Sequence, residues 1–182
     1  MSIIVKDSGG NFERPLPGMH HGVCSNIYGP FRSTYMYQGK EVSADKVIIM
    51  FELEERLSKG DFANCRFTQS QTFTASLSEK SKLRPFLESW RGMPFTEEQA
   101  KGFDLEKLIG VNCNLNLIEK PRQGGGSSIV IVGIVPPIKG QEALKTELPR
   151  DYVPEWILKK IVGVVAPETH EGSGVENETI PF

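Results

Sequence analysis

The sequence has few cysteines, no long hydrophobic run and no basic residue near its C-terminus. Its three cysteines, Cys24, Cys65 and Cys113, are odd in number and far apart, which favours reduced thiols over a disulfide framework. No apolar stretch reaches the length of a membrane span, and the N-terminus lacks the basic-then-apolar pattern of a secretion signal. We therefore expect a cytoplasmic protein without a membrane partner.

Motifs for metal binding and phosphate binding are also missing. No cysteine pair has zinc-ligand spacing, and the adjacent His20 and His21 would point to opposite faces of a strand. The glycine run at residues 124–126 is not followed by the lysine of a phosphate-binding P-loop, and it joins two predicted strands. We expect no catalytic residue, no metal and no cofactor.

The last seventeen residues, Ala166 to Phe182, differ from the rest in composition. They hold four of the 23 acidic residues and none of the 21 lysines and arginines, so the remainder carries 21 basic against 19 acidic residues. Such a segment cannot bury enough apolar surface to offset the entropy of ordering. We expect one domain over residues 1–165 and a disordered acidic tail over residues 166–182. Its apolar tip, Ile180 to Phe182, is either a hook for a pocket with a basic rim or a frayed terminus.

Alternating and β-branched residues predict five strands, and helical spacing predicts helices between the third and the fourth. Gly29 and Pro30 are expected to end the first strand, which leaves a long loop over residues 31–46. Ser76 with Glu79 predicts a capping box before the first helix. The predicted strands are 19–28, 47–53, 65–77, 111–118 and 129–135; the predicted helices are 83–90, a short turn opened by Thr96 with Gln99, 105–109 capped by Asp104, and 152–162.

This order of elements is that of a mainly β OB-fold, a five-stranded Greek-key barrel. In that fold the loops between strands 1 and 2 and between strands 4 and 5 grip oligonucleotides, and here they would be residues 31–46 and 120–128. Single strands are held by cations on phosphates and by aromatic faces on bases. Each such residue alone is more often a solvated cation or a core aromatic, but their clustering favours a site. The nucleic-acid-binding candidates are Phe31, Arg32, Tyr35, Tyr37, Lys40, Lys46, Arg66, Lys120 and Arg122.

A further basic group flanks the first predicted helix. It consists of Lys80, Lys82, Arg84 and Arg91. A solvated helix face is the simpler interpretation, although the group could extend a nucleic-acid track.

Two stretches resemble known families. The tip Glu178-Thr179-Ile180-Pro181-Phe182 resembles the acidic Ile-Pro-Phe end of bacterial single-stranded DNA-binding proteins, although the commonest tip of that family has aspartates before Ile-Pro-Phe. The stretches SLSEKSKLRPFLESWRGMPFT and FDLEKLIGVNCNLNL are similar to a family of bacteriophage OB-fold single-stranded DNA-binding proteins. The resemblance implies a phage replication or recombination protein in the host cytoplasm. It also implies that Glu178, Ile180, Pro181 and Phe182 dock replication or repair partners.

The leading hypothesis is a non-enzymatic protein that binds single-stranded DNA largely without sequence preference. One alternative is a protein-interaction adaptor whose OB barrel binds no nucleic acid. A third is a metal-dependent nuclease that would use Glu52, Glu54 and Asp61, although paired acids at a strand end are usually solvated. The sequence leaves a homo-oligomer open.

Overall fold

The computed structural model describes residues 13–162, so the predicted tail and the boundary at residue 165 lie outside the described part. Within residues 13–162 the prediction of a mainly β protein with five strands, and with helices between the third and the fourth, is confirmed. The strands are β1 Gly18–Tyr37, β2 Lys40–Arg56, β3 Arg66–Thr74, β4 Asn112–Pro121 and β5 Ser127–Val135; the helices are α1 Leu83–Arg91, α2 Glu97–Lys101, a 3₁₀-helix Leu105–Leu108 and α3 Glu155–Val162.

The strands form one antiparallel sheet in the order β3-β2-β1-β4-β5. β3 and β5, the two ends of that order, contact each other, so the sheet is curved and compatible with a barrel-like fold. None of the helices within residues 13–162 is long and apolar enough to cross a membrane.

The inner face of the sheet carries the main hydrophobic core. Phe51 of β2, Leu115 of β4 and Ile131 of β5 are buried there, and α1 covers one end with Leu87 and Trp90. The rings of Phe51 and Trp90 lie 5.4 Å apart, centroid to centroid. Burying one large apolar side chain stabilises a fold by about 1.5–3 kcal/mol, so this cluster fixes the position of α1 on the sheet.

The prediction that β1 ends at Gly29 and Pro30 is wrong. The strand passes this point with a register shift between Tyr28 and Phe31 and continues to Tyr37. Gly29 has φ +119°, and a Cβ there would lie 2.6 Å from the carbonyl oxygen of Lys46. The glycine therefore marks a close approach of two strands rather than a strand end.

The predicted loop over residues 31–46 is accordingly a β-hairpin, which we call the arm. Its strands pair from Phe31 with Lys46 to Tyr37 with Lys40. Gln38 and Gly39 form the turn with φ of 49° and 73°. Two consecutive positive φ values are those of a type I′ turn, which matches the twist of a hairpin.

Two of the three predicted helix caps are confirmed. Thr96 and Gln99 form a capping box at α2, and Asp104 accepts a hydrogen bond from the backbone N–H of Glu106 at 3.0 Å. The capping box of Ser76 and Glu79 is wrong. α1 begins only at Leu83, and the Ser76 hydroxyl instead accepts from the backbone N–H of Ser78 at 3.2 Å.

Residues 136–154, which we call the strap, run from β5 to α3 across the outer face of the sheet. The strap contains no helix or strand, and side chains of the sheet bind its backbone. α3, which begins three residues later than predicted, buries Ile157 against Tyr28, Ile48 and Met50. Part of the outer face is therefore covered by the chain itself.

Candidate nucleic-acid interface

Strand alternation places most of the candidates of the arm on one face of the hairpin. Phe31, Tyr35 and Tyr37 alternate along β1, and Lys46 and Lys40 are the strand partners of Phe31 and Tyr37. Tyr37 is 57% exposed. We call these five residues the arm face. An aromatic and cationic surface of this kind can stack on bases and contact phosphates at once.

Lys46 lies at the base of the arm face and is half-buried. Its Nζ donates to the Thr74 hydroxyl at 2.9 Å and lies 5.3 Å from the centre of the Tyr35 ring. Burial lowers the pKa of the Lys46 ammonium, and the nearby charge of Lys82 lowers it further. Within residues 13–162 neither Lys46 nor Lys82 forms an ion pair.

Phe31 and Arg32 are placed differently from the two tyrosines. Phe31 packs against the small cluster of Tyr28, Ile48 and Ile157, so one side of its ring is covered. Arg32 lies on the opposite face of the arm, where its Nη1 donates to Asp45 at 3.0 Å. Both groups are on the surface, and this ion pair is the exposed kind that costs little to exchange for another partner.

Lys120 and Arg122 lie at the other end of the sheet. In the pairing of β1 with β4, Gly18 lies opposite Leu117 and Val23 lies opposite Asn112. The β4–β5 turn therefore extends beyond the start of β1, whereas the arm extends from the end of β1. Both side chains are exposed, and neither forms an ion pair within the described range. The structure therefore does not bring the two predicted grip segments together; they flank the sheet from opposite ends.

Arg66 is bound beneath the strap. Its side chain is 11% exposed, lies 3.8 Å from the Glu52 carboxylate and 3.3 Å from the Glu147 carboxylate, and donates to the Lys145 carbonyl at 2.7 Å. Arg56 donates to the same Glu147 at 3.0 Å, and this hydrogen bond lowers the pKa of Glu147. The charges of this cluster are thus matched within the protein.

Glu52 is the central anchor of the strap. It is 1% exposed, and its carboxylate accepts hydrogen bonds from the backbone N–H groups of Glu147 and Leu148 at 2.9–3.0 Å. By contrast the Glu54 side chain is 63% exposed and lies near His21. The structure therefore does not bring Glu52 and Glu54 together as a pair of free carboxylates. No group of three or more metal-ligating side chains occurs within residues 13–162.

Asparagines of the sheet bind further points of the strap. Asn112 exchanges two hydrogen bonds with the backbone of Leu144, at 2.7 and 3.0 Å, and Asn114 exchanges two with the Gln141 amide. Asn26 donates to the carbonyls of Pro149 and Arg150. Sequence reasoning missed this role, because these partners in the strap lie 27 or more residues away along the chain.

The two histidines have separate partners. His20 contacts Glu55 at 2.8 Å and the Leu16 carbonyl at 2.6 Å, whereas His21 contacts the Asn112 side-chain oxygen at 3.0 Å. They hold different segments and do not converge on one site.

An open cleft of about 480 Å³ lies near the base of the arm. Gly29, Pro30 and Val47 line it from the sheet, and Phe103 and Asp104 line it from the segment before the 3₁₀-helix. Its walls are mixed in character, and no candidate residue of the arm face lines it.

The four tip residues Glu178, Ile180, Pro181 and Phe182 lie outside the described residues. No protein-family model, curated protein or solved structure matches this chain. The function is therefore inferred from the site itself.

Proposed function

We propose that this protein binds single-stranded DNA through an OB-fold whose arm face is the main contact surface. The strand would stack bases on Tyr35 and Tyr37 and place phosphates near Lys40 and Lys46. Binding would be largely independent of sequence, because every base has a face to stack and every nucleotide a phosphate. This function is not enzymatic and suits the coating of strands exposed in phage-type replication or recombination.

The order of elements supports the OB-fold. Five antiparallel strands with helices between the third and the fourth, and with β3 contacting β5, are compatible with that barrel. The arm then corresponds to the connection between strands 1 and 2, and the turn with Lys120 and Arg122 to the connection between strands 4 and 5. Both connections are the usual oligonucleotide contacts of the fold.

One observation carries the proposal, namely the arm face with its unpaired lysines. Tyr35 and Tyr37 share a hairpin face with Lys40 and Lys46, and neither lysine has an acidic partner within residues 13–162. Exposed aromatic side chains beside cations without acidic partners are the combination that single-strand binding uses. Arg66 receives a different role in this proposal: it holds the strap.

We further propose that Glu178, Ile180, Pro181 and Phe182 recruit replication or repair proteins. The support is the resemblance of the tip to that of bacterial single-stranded DNA-binding proteins. A chain truncated before Ile180 should bind DNA as before and lose a partner captured by the full-length chain.

The covered outer face favours a second candidate, the adaptor. In OB-folds the face of strands 2 and 3 commonly binds nucleic acid, but here the strap engages Glu52 of β2 and Arg66 of β3 on that face. A barrel that had lost nucleic-acid binding would keep only its tip as an interaction element.

A fluorescence-anisotropy titration with a labelled dT oligonucleotide and a duplex of equal length, at two salt concentrations, separates the two candidates. The proposal predicts tight binding to the single strand alone, which weakens as salt rises because released counterions drive it. Lys40→Glu should weaken binding. Lys59→Glu, on the exposed turn at the far end of β2, is the matched control. Absence of single-strand binding at low salt would leave the adaptor.

A further inference from the structure

The first described residues of the chain lie at the end of the sheet opposite the arm. The Glu13 carboxylate accepts hydrogen bonds from the backbone N–H and the hydroxyl of Ser58, just after β2, at 2.8 and 3.0 Å. Nη1 of Arg14 donates to the carbonyl of Ser127, the first residue of β5, at 2.5 Å. Contacts at two strand ends therefore fix the position of Arg14.

These contacts bring Arg14 to the β4–β5 turn, which carries Lys120 and Arg122. Ser127, which binds Arg14, is the strand partner of Pro121, and Pro121 lies between the two cations in the chain. All three basic side chains are exposed, and none forms an ion pair within residues 13–162. We call Arg14, Lys120 and Arg122 the turn cluster. Sequence reasoning missed Arg14, because Ser127 lies 113 residues away along the chain.

Two acidic residues adjoin the turn cluster in the chain, and both have other partners. Glu13 binds Ser58. Glu119 accepts a hydrogen bond from the Ser127 hydroxyl, and alternation along β4 directs Glu119 and Lys120 to opposite faces of the sheet. Neither acid forms an ion pair with the cluster, so its positive charge is available to an anion.

The turn presents backbone to that anion rather than side chains. Gly124, Gly125 and Gly126 have φ of 93°, 107° and 76°, and a Cβ at any of them would meet nothing within 4 Å. Backbone N–H groups in a turn of this kind can form a concave anion site. A phosphate can therefore approach the turn cluster without obstruction.

The turn cluster is separated from the arm face by covered surface. Phe31, where the arm begins, follows Gly18 by thirteen residues, which is about 40 Å along a strand. Between these points Asn26 donates to the Pro149 carbonyl and Tyr28 donates to the Tyr152 carbonyl, so the strap covers this part of β1. A short oligonucleotide therefore reaches only one of the two surfaces.

We propose that the turn cluster binds the phosphates of a second segment of single strand. Arg14 uses one donor on the Ser127 carbonyl, and the other donors of its guanidinium contact phosphate. This inference rests on the proposed function and extends it, since each chain then holds two segments, one on the arm face and one at the turn.

The test counts the oligonucleotides that one chain binds. At low salt, native mass spectrometry and calorimetric titration with a dT oligonucleotide of about five nucleotides, near the lower end of the range that one OB-fold covers, should give two per chain. The Arg14→Ala, Arg122→Ala double variant should keep only the arm site, and the Tyr35→Ala, Tyr37→Ala double variant only the turn site. Lys139→Ala, which removes an exposed lysine of the strap, is the control and should bind two.

Arg122→Ala alone should reduce the slope of log affinity against log salt by about 0.7 at the turn site, because one phosphate contact is lost. Thermal unfolding of each variant checks that the fold is retained. The single variant replaces the arginine double variant if loss of the hydrogen bond between Arg14 and Ser127 destabilises the protein.

The outcomes separate this site from the proposed function. If the wild type binds one oligonucleotide, and only the tyrosine double variant loses it, the turn site is wrong and the proposed function stands. If only the arginine double variant loses it, the turn site stands and the arm face is wrong. Two oligonucleotides on the arginine double variant would also contradict the turn site, and no binding at low salt would contradict both.

Discussion

The outer face beneath the strap and the arm face are both rich in polar side chains, but the charged groups are paired on the first and unpaired on the second. Under the strap, Glu52, Arg66 and Glu147 lie within ion-pair or hydrogen-bond distance of one another or of backbone groups. On the arm face, Lys40 and Lys46 have no acidic partner within residues 13–162. Matched charges indicate an internal structural contact, and under the proposed function the unmatched lysines contact the phosphates of the DNA.

The largest expected effect comes from the covered face. Glu52→Ala leaves two backbone N–H groups without their acceptor and removes one of the two carboxylates beside Arg66, and loss of one partner of a buried ion pair costs about 3–5 kcal/mol. Urea unfolding should show this loss, and hydrogen exchange should show faster exchange at Glu147 and Leu148. Glu54→Ala, which removes an exposed carboxylate from the same strand, should leave stability nearly unchanged.

The next effect concerns the arm face. Tyr35→Ala and Tyr37→Ala should each weaken dT binding by about 1–3 kcal/mol, the contribution of one stacked base, with little loss of stability. Anisotropy titration and thermal unfolding measure the two quantities separately. Phe62→Ala is the control, because Phe62 is an exposed aromatic at the far end of β2. Equal affinities for all three variants would show that no base stacks on Tyr35 or Tyr37.

A third substitution tests the link between the barrel and the arm. Gly29→Ala, at φ +119°, places a Cβ 2.6 Å from the Lys46 carbonyl, whereas Gly60→Ala, at φ +82°, meets nothing within 4 Å. Both variants carry the backbone strain, but only Gly29→Ala adds the clash, which we expect to cost about 1–3 kcal/mol more. If Gly29→Ala weakens dT binding and Gly60→Ala does not, DNA binding requires that the arm be held in its present position.

The smallest effect is a pH dependence of the strap. The hydrogen bond from Arg56 lowers the pKa of Glu147 from its ordinary value of 4.5. A lowered pKa stabilises the folded state above that ordinary value, and the stabilisation is lost as pH falls through the folded-state pKa. Because Glu147 is partly exposed, the effect is small. The stability difference between wild type and Glu147→Gln should disappear in acid, whereas Glu142→Gln should show no difference at any pH.

The sequence predicted the inner face well and the outer face poorly. Alternation and β-branched residues located β2 to β5, because the inner core imposes a period of two on each strand. The prediction for β1 was wrong at Gly29 and Pro30, because the sequence does not distinguish a glycine that permits close contact of two strands from a glycine that ends a strand. The Gln38–Gly39 pair was the signal for the hairpin.

The candidate site likewise has a part that could be predicted from the sequence and a part that could not. The density of aromatic and cationic residues in 31–46 was enough to propose the tyrosines and lysines of the arm, and the structure places them on one face because they alternate on paired strands. It could not show that Arg66 lies under the strap, since its partners Lys145 and Glu147 lie about eighty residues away.

Photo-cross-linking of a dT oligonucleotide to the full-length protein, followed by peptide mapping, tests the central claim most directly. Binding on the arm face predicts cross-links within residues 31–46, at Tyr35 or Tyr37, and their loss in the Tyr35→Ala, Tyr37→Ala double variant. Cross-links confined to β3 or to the strap would contradict it, because they would place the strand on the face whose charges the protein already matches.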